Sequence, residues 1–274
     1  MTPARRGHFW IGVDPRETPW GVVPSGQMYV EWLAPEEATR RLPIVLVHGG
    51  GGQGLDWLGT PDGRPGWAQQ LTAEGFEVYV VDRPGHGRAS YHAELLGPPL
   101  PPASYPFGQD IFVHDPESEL GRGHTQWPGG REPGDPVMDQ LMAGMSPMRA
   151  DFAAAHELDG DRLALLLDRI GEAIVFTHSA GGPPGFVAAD RRPDEVAALL
   201  AIEPMGPPFL ALPEAGVKLT WGLAAAPLTY APAVADPADL EDGGSRTLPN
   251  LARTPIAVVA ADHSLVGQAS PAVA

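Results

Sequence analysis

The chain has 274 residues and no cysteine, which excludes disulfides, thiol nucleophiles and cysteine-ligated metals together. Its 18 Lys plus Arg against 34 Asp plus Glu give a formal charge of -16, a surface that repels phosphate backbones and anionic membranes and so argues against nucleic-acid and membrane partners. The length suits one substantial core, and a single domain over residues 1–274 is the expectation. Met1 to Trp10 carries Arg5-Arg6 but no apolar signal-peptide region. No run approaches the ~18 apolar residues of a membrane span, so a cytoplasmic location is expected.

The first clear element is Pro43-Ile44-Val45-Leu46-Val47, a short continuous apolar run. That is how a parallel strand buried on both faces reads. It ends in His48-Gly49-Gly50-Gly51-Gly52-Gln53-Gly54. Gly49, Gly51 and Gly54 formally satisfy a dinucleotide fingerprint. The loop is expected to run on through Leu55 to Gly63 instead of opening a helix, which argues against a pyrophosphate site. No Lys-Ser/Thr follows, so it is not a P-loop either.

The next strand is Glu77-Val78-Tyr79-Val80-Val81, closing on Asp82-Arg83-Pro84-Gly85-His86-Gly87-Arg88. Asp82 is expected to cap backbone N–H groups of this turn, and His86 to pack near the edge of a site. Residues 92–157 form a first insertion. Its part from Leu96 to Pro136 is rich in Pro and Gly and reads as irregular chain. A helix over Asp159 to Gly171 follows, with Leu163, Leu166, Leu167 and Ile170 at helical spacing.

Ile174-Val175-Phe176-Thr177-His178-Ser179-Ala180-Gly181-Gly182 is the most informative segment. A β-branched run ends in Thr-His-Ser and passes into small residues, the layout of a serine on a tight strand-to-helix turn. Thr177 stands where that pattern has its first glycine, and read alone the segment also fits an ordinary loop. Gly181 supplies the small residue that close helix-on-strand packing needs. Backbone N–H groups of Gly50 and Ala180 are then the expected oxyanion donors, because no side chain at Gly50 blocks a substrate oxygen. Ala197 to Ile202 is a further strand, ending in Glu203-Pro204. A carboxylate there lies on the ligand-binding edge of a parallel sheet, though a solvated or helix-capping glutamate fits the same residues. A second insertion spans 205–250, with Phe209, Trp221 and Tyr230 as candidates either to line an apolar pocket or to anchor the insertion. Both insertions leave from strand C-termini and should fold over the site as a lid. The last strand is Ile256 to Ala260, followed by Ala261-Asp262-His263-Ser264.

Together these stretches resemble the α/β-hydrolase superfamily. Gly26 to Glu31, Thr60 to Trp67, Gly206 to Phe209 and Leu228-Thr229-Tyr230 narrow the resemblance to a bacterial and fungal carboxylesterase branch that places its triad acid, a Glu, after strand six. The resemblance runs from near the N-terminus to about residue 264, and Thr-His-Ser in place of Gly-x-Ser is itself a feature of that branch. It implies an α/β fold with a mostly parallel, doubly wound sheet, Ser179 as nucleophile and Glu203 as the acid that orients a histidine. Some relatives carry adjacent cysteines in the oxyanion loop; Gly50 and Gly51 stand there here. Laid on the commoner arrangement, with the acid after strand seven, Ser264 takes the acid's place and His263 a non-catalytic one.

The reaction implied is acyl transfer on a small-molecule ester, with no cofactor and no metal. His8, His86, His92, His114, His124 and His156 lack the spacing of a zinc site. In this fold the base follows an eighth strand. Another strand, helix and their loops need roughly 25 residues or more, and only Ala261 to Ala274 remain. The expectation is therefore an esterase that lacks its last strand, helix and catalytic histidine. A lactonase, thioesterase or cofactor-independent peroxidase on the same fold, or a non-catalytic ligand-binding domain, stays open as an alternative. Oligomeric state is not readable.

Overall fold

The computed structural model describes residues 4–212, 216–240 and 244–269. Its centre is a seven-stranded sheet built from β1 (Ala4–Ile11), β4 (Met28–Pro35), β5 (Ile44–Val47), β6 (Val78–Asp82), β7 (Ala173–His178), β8 (Val196–Ile202) and β11 (Ile256–Val259). The spatial order is β1-β4-β6-β5-β7-β8-β11. β4 runs antiparallel to both of its neighbours, β1 and β6, and from β6 to β11 every pairing is parallel. β2 (Asp14–Thr18) and β3 (Gly21–Ser25) form a separate, mostly exposed hairpin, and β9 (Ala211–Leu212) pairs only with β10 (Val217–Lys218).

The apolar runs become strands because each is covered on both faces. On β5, Val45 and Val47 face a core built by Leu163, Leu166, Leu167 and Phe186. Ile44 and Leu46 face Trp57, Ala68, Val78 and Val80. The helices that cover these faces are α2 (Trp67–Ala73), α7 (Phe152–Ile170) and α8 (Gly182–Arg191). β11 differs: three of its four residues are exposed.

Three expectations need correction. The glycine loop does open a helix, though only the single turn α1 (Leu55–Leu58), with Gly54 at its N-cap and no side-chain cap. The stretch expected to be irregular holds α4 (Tyr105–Ile111) and α5 (Glu119–Gly123), with α3 (Ala93–Leu96) and α6 (Pro136–Ala143) at its ends. Ser104, Ser118 and Asp135 cap α4, α5 and α6 by accepting backbone N–H groups. Pro106 and Pro136 occupy first-turn positions, where no N–H is needed, so these prolines start helices instead of breaking them. Third, α7 begins at Phe152, about two turns before Asp159, with Asp151 as its cap. A short helix, α9 (Leu265–Ala269), follows β11, and residues 270–274 lie outside the described residues. Among those residues no helix is long and apolar enough to cross a membrane.

Candidate active site

β7 delivers Ser179 to the sheet edge. Its φ is +49°, a left-handed conformation that a non-glycine residue adopts only under constraint. The constraint is the turn itself: a short helical turn over Ser179–Gly181 feeds directly into α8. A Cβ on Gly181 would lie 2.4 Å from the His48 carbonyl oxygen, so only glycine lets the turn approach the end of β5 this closely. Ser179 is half-buried. Its carbonyl accepts the Met205 N–H at 2.9 Å, which ties the elbow to the chain leaving β8.

Gly50 stands against Ala180. A Cβ on Gly50 would come within 3.1 Å of the Ala180 Cβ and 3.2 Å of the Met148 Cε. Ala180 lies in the first turn of a helical segment, where backbone N–H groups have no intrahelical carbonyl. The two expected oxyanion donors therefore sit side by side, next to the Ser179 residue. The glycine loop is gripped along its length: Asp82 accepts the Gly54 N–H at 2.5 Å, and the Gln53 Nε2 donates to the Gly144 carbonyl at 2.8 Å. Ser146 N–H donates to the Gly51 carbonyl at 2.5 Å, so the first insertion lies on this loop. Asp82 also accepts the Arg88 N–H at 2.9 Å and its Nε at 2.7 Å, the capping role expected of it.

Behind the loop lies a buried polar cluster. His48 is fully buried and accepts the Arg83 backbone N–H on Nε2 at 3.1 Å. Its proton is thereby placed on Nδ1, which donates to the Gly49 carbonyl at 2.8 Å. The Arg83 guanidinium donates to the same carbonyl at 2.8 Å and to the Asp159 carboxylate at 2.7 Å. His86 packs against His48 with ring centroids 5.0 Å apart, and His156 accepts the Ala225 N–H at 3.0 Å. Burial, with the Arg83 charge second, brings the pKa of His86 and of His156 to about 3, and pushes His48 well below its ordinary value. All three are neutral structural imidazoles.

Glu203 follows β8 directly, at φ +45°. Its Oε1 accepts the Ala261 N–H at 3.0 Å and its Oε2 accepts the Ser264 hydroxyl at 2.9 Å. Ser264 Oγ in turn accepts the Gly267 N–H at 3.1 Å, on α9. The residue at the commoner acid position thus holds the carboxylate one strand over. His263 turns elsewhere and packs on Gly123 of α5, where an added Cβ would be 2.2 Å from its ring. His178 lies against Gly49 and edge-on to Trp57, with ring centroids 6.5 Å apart. Burial lowers its pKa, and the charge of Glu203 works the other way. Among the described residues no imidazole hydrogen-bonds to Ser179 or Glu203, and no group of three His, Asp or Glu could hold a metal ion. Phe209 and Tyr230 converge on Gly222, and the Tyr230 hydroxyl donates to the Trp221 carbonyl at 2.8 Å. Trp221 is buried and Tyr230 half-buried, while Phe209 is exposed.

Sequence reading left Arg83, Asp159, Met148 and Ser264 without these roles. Asp159 did leave a signal: it shares an inward helical face with His156, Leu163 and Leu166, where an unpaired carboxylate would be costly.

Comparison with known proteins agrees with the topology. Residues 43–226 match the family described as the alpha/beta hydrolase fold. A probable secreted lipase of a fungal species is 35% identical over 209 residues, 75% of this chain and 57% of the lipase. The chain thus spans little more than half the length of that relative. A structure described as a novel bacterial esterase is 26% identical, with a TM-score of 0.54, covering 74% of this chain and 71% of the other. With the elbow, the sheet order and the family match in agreement, the chain belongs to the α/β-hydrolase fold family.

Proposed function

We propose that this chain is a serine hydrolase for carboxylic esters, with Ser179 as nucleophile. The observation that carries this reading is the strained Ser179 turn set beside the paired Gly50 and Ala180 backbones. Ser179 Oγ attacks the ester carbonyl, losing its proton to water in the absence of a placed base. The tetrahedral oxygen gathers charge at the two N–H dipoles, and collapse expels the protonated alcohol to leave an acyl-enzyme. Glu203, a carboxylate with both oxygens hydrogen-bonded, is the acid that would orient an imidazolium. The lipase and esterase named above support the ester class. None of the described histidines is placed as base, so we expect the 274-residue chain to acylate slowly, by oxyanion stabilisation and binding.

The test is covalent. A fluorophosphonate probe should add one adduct, which peptide mapping places on Ser179 and Ser179→Ala removes. An adduct on another residue, or one that survives Ser179→Ala, would move the nucleophile and sink the assignment. Protein that takes up no probe would favour a ligand-binding role.

A further inference from the structure

We propose that Arg83, anchored by Asp159, is a positioning residue that aims and polarises the Gly50 N–H through the Gly49–Gly50 peptide. The proposal rests on the reading of Gly50 as an oxyanion donor. A trans peptide is planar, with its C=O and N–H pointing in opposite directions. Fixing the Gly49 carbonyl therefore fixes the Gly50 N–H. That carbonyl receives the Arg83 Nη2 and the His48 Nδ1–H, each at 2.8 Å, and the Gly52 N–H at 3.3 Å. All three donors lie on the carbonyl side, so the Gly50 N–H is left pointing away from them. Among the described residues it has no protein acceptor, and the Gly50 backbone abuts Ala180.

Why a guanidinium? Arg83 is 4% exposed and Asp159 2%. An arginine fork spans two acceptors at fixed geometry, here a carboxylate on α7 and a carbonyl on the loop after β5. The carboxylate holds the fork in place, and the fork holds the peptide. A full positive charge on the carbonyl oxygen also polarises the amide and strengthens its N–H as a donor in a low-dielectric setting. The turn after β6 thus feeds charge into the oxyanion site from behind, without touching substrate. Glycine at 49 is part of the device: a Cβ there would lie 2.9 Å from His178 Nδ1 and 3.2 Å from Ser179 Cβ.

The informative variant is Arg83→Leu/Asp159→Leu. It removes both buried charges together and so leaves neither unpaired. The Arg83 backbone N–H that sets the His48 tautomer survives in it. Two readouts are taken: the ¹⁵N order parameter of the Gly50 amide, and the inactivation rate and affinity for a fluorophosphonate whose phosphoryl oxygen occupies the oxyanion site. The order parameter should fall from about 0.85 towards 0.6 or below. Maximal labelling rate should drop about 10- to 100-fold while probe affinity stays within about twofold, the signature of a donor used only in the transition state. A role confined to packing would lower thermal stability without that split. If the leucine pair does not fold, Arg83→Lys decides the matter: it keeps the charge but cannot span both acceptors, and should show the same loss. A Gly50 amide as ordered in the folded variant as in the wild type overturns the proposal. Should the wild type fail to label on Ser179, the functional reading falls, while the order parameter still decides the clamp.

Discussion

At the end of β5 the main chain is held from inside the protein, whereas at the end of β8 the Glu203 side chain is held from a more exposed segment. Around Gly49 the grip comes from Arg83, Asp159 and His48, each 5% exposed or less. Around Glu203 it comes from Ala261, Ser264 and the first residues of α9, beside a strand whose Ile256 and Val259 are 39% and 45% exposed. The first region is over-determined, with several donors converging on one carbonyl. The second depends on the Glu203 N–H donated to the Val259 carbonyl at 2.7 Å and on two bonds to its carboxylate, all from a segment with little core beneath it. Rigidity and local stability follow buried contacts, so the loop after β5 should resist perturbation until its buried charges are broken. The acid side should yield in small steps.

The largest stability effect should come from unpairing the buried charge. Asp159→Ala leaves the Arg83 guanidinium uncompensated and should cost about 3–5 kcal/mol, read as a shift in urea midpoint at constant slope. A loss under about 1 kcal/mol would mean that water reaches Arg83 and the region is not the dry cluster described.

Acid should attack the same region next. His86 and His156 have folded pKa values of about 3, with burial the main cause, against about 6.5 in an unfolded chain. The unfolded state therefore binds more protons below pH 6.5. Their contribution is complete above that pH and is lost progressively as pH falls towards 3, at up to about 1.4 kcal/mol per pH unit for each imidazole. Urea unfolding from pH 7.5 to 4.5 measures the slope, and His156→Gln should reduce it. A variant as acid-sensitive as the wild type would remove His156 from the account.

On the acid side the expected effects are on chemistry more than on stability. With a base supplied as added imidazole, Glu203→Gln should slow Ser179-dependent ester turnover far more than Asp262→Asn, since among the described residues Glu203 has both carboxylate oxygens hydrogen-bonded at the strand end. The reverse order would return the acid role to the segment after β11. Ser264→Ala removes one hydrogen bond to Glu203 and one from Gly267. It should cost only about 0.5–1.5 kcal/mol, with hydrogen exchange rising first at Ala261 and Gly267. Unchanged exchange there would show that Ser264 does not hold the carboxylate.

Much of the active-edge geometry was legible because it is written in local chemistry. Continuous apolar runs announced β5, β6, β7 and β8, and their ends placed Gly50, Ser179 and Glu203 on one side of the sheet. What escaped was non-local or masked by its own composition. Arg83 and Asp159 meet across 76 residues of sequence, and no pattern near either names the other. The β2–β3 hairpin is mostly exposed and includes Pro15 and Pro24, so it lacks the in–out alternation that marks a half-buried strand. The short helices of the first insertion hid behind prolines that sit in their first turns. The turn at Leu55 is too brief for helical periodicity to register.

The central claim, that Ser179 and a preformed oxyanion site stand ready without a described base, is tested most directly by supplying one. Short-chain ester hydrolysis by the 274-residue chain is measured against imidazole concentration, with Ser179→Ala as the background. The account predicts slow turnover without imidazole and a saturable acceleration with it, both absent in Ser179→Ala. Ordinary enzyme rates without imidazole, abolished by His263→Ala, would contradict it and make His263 the base.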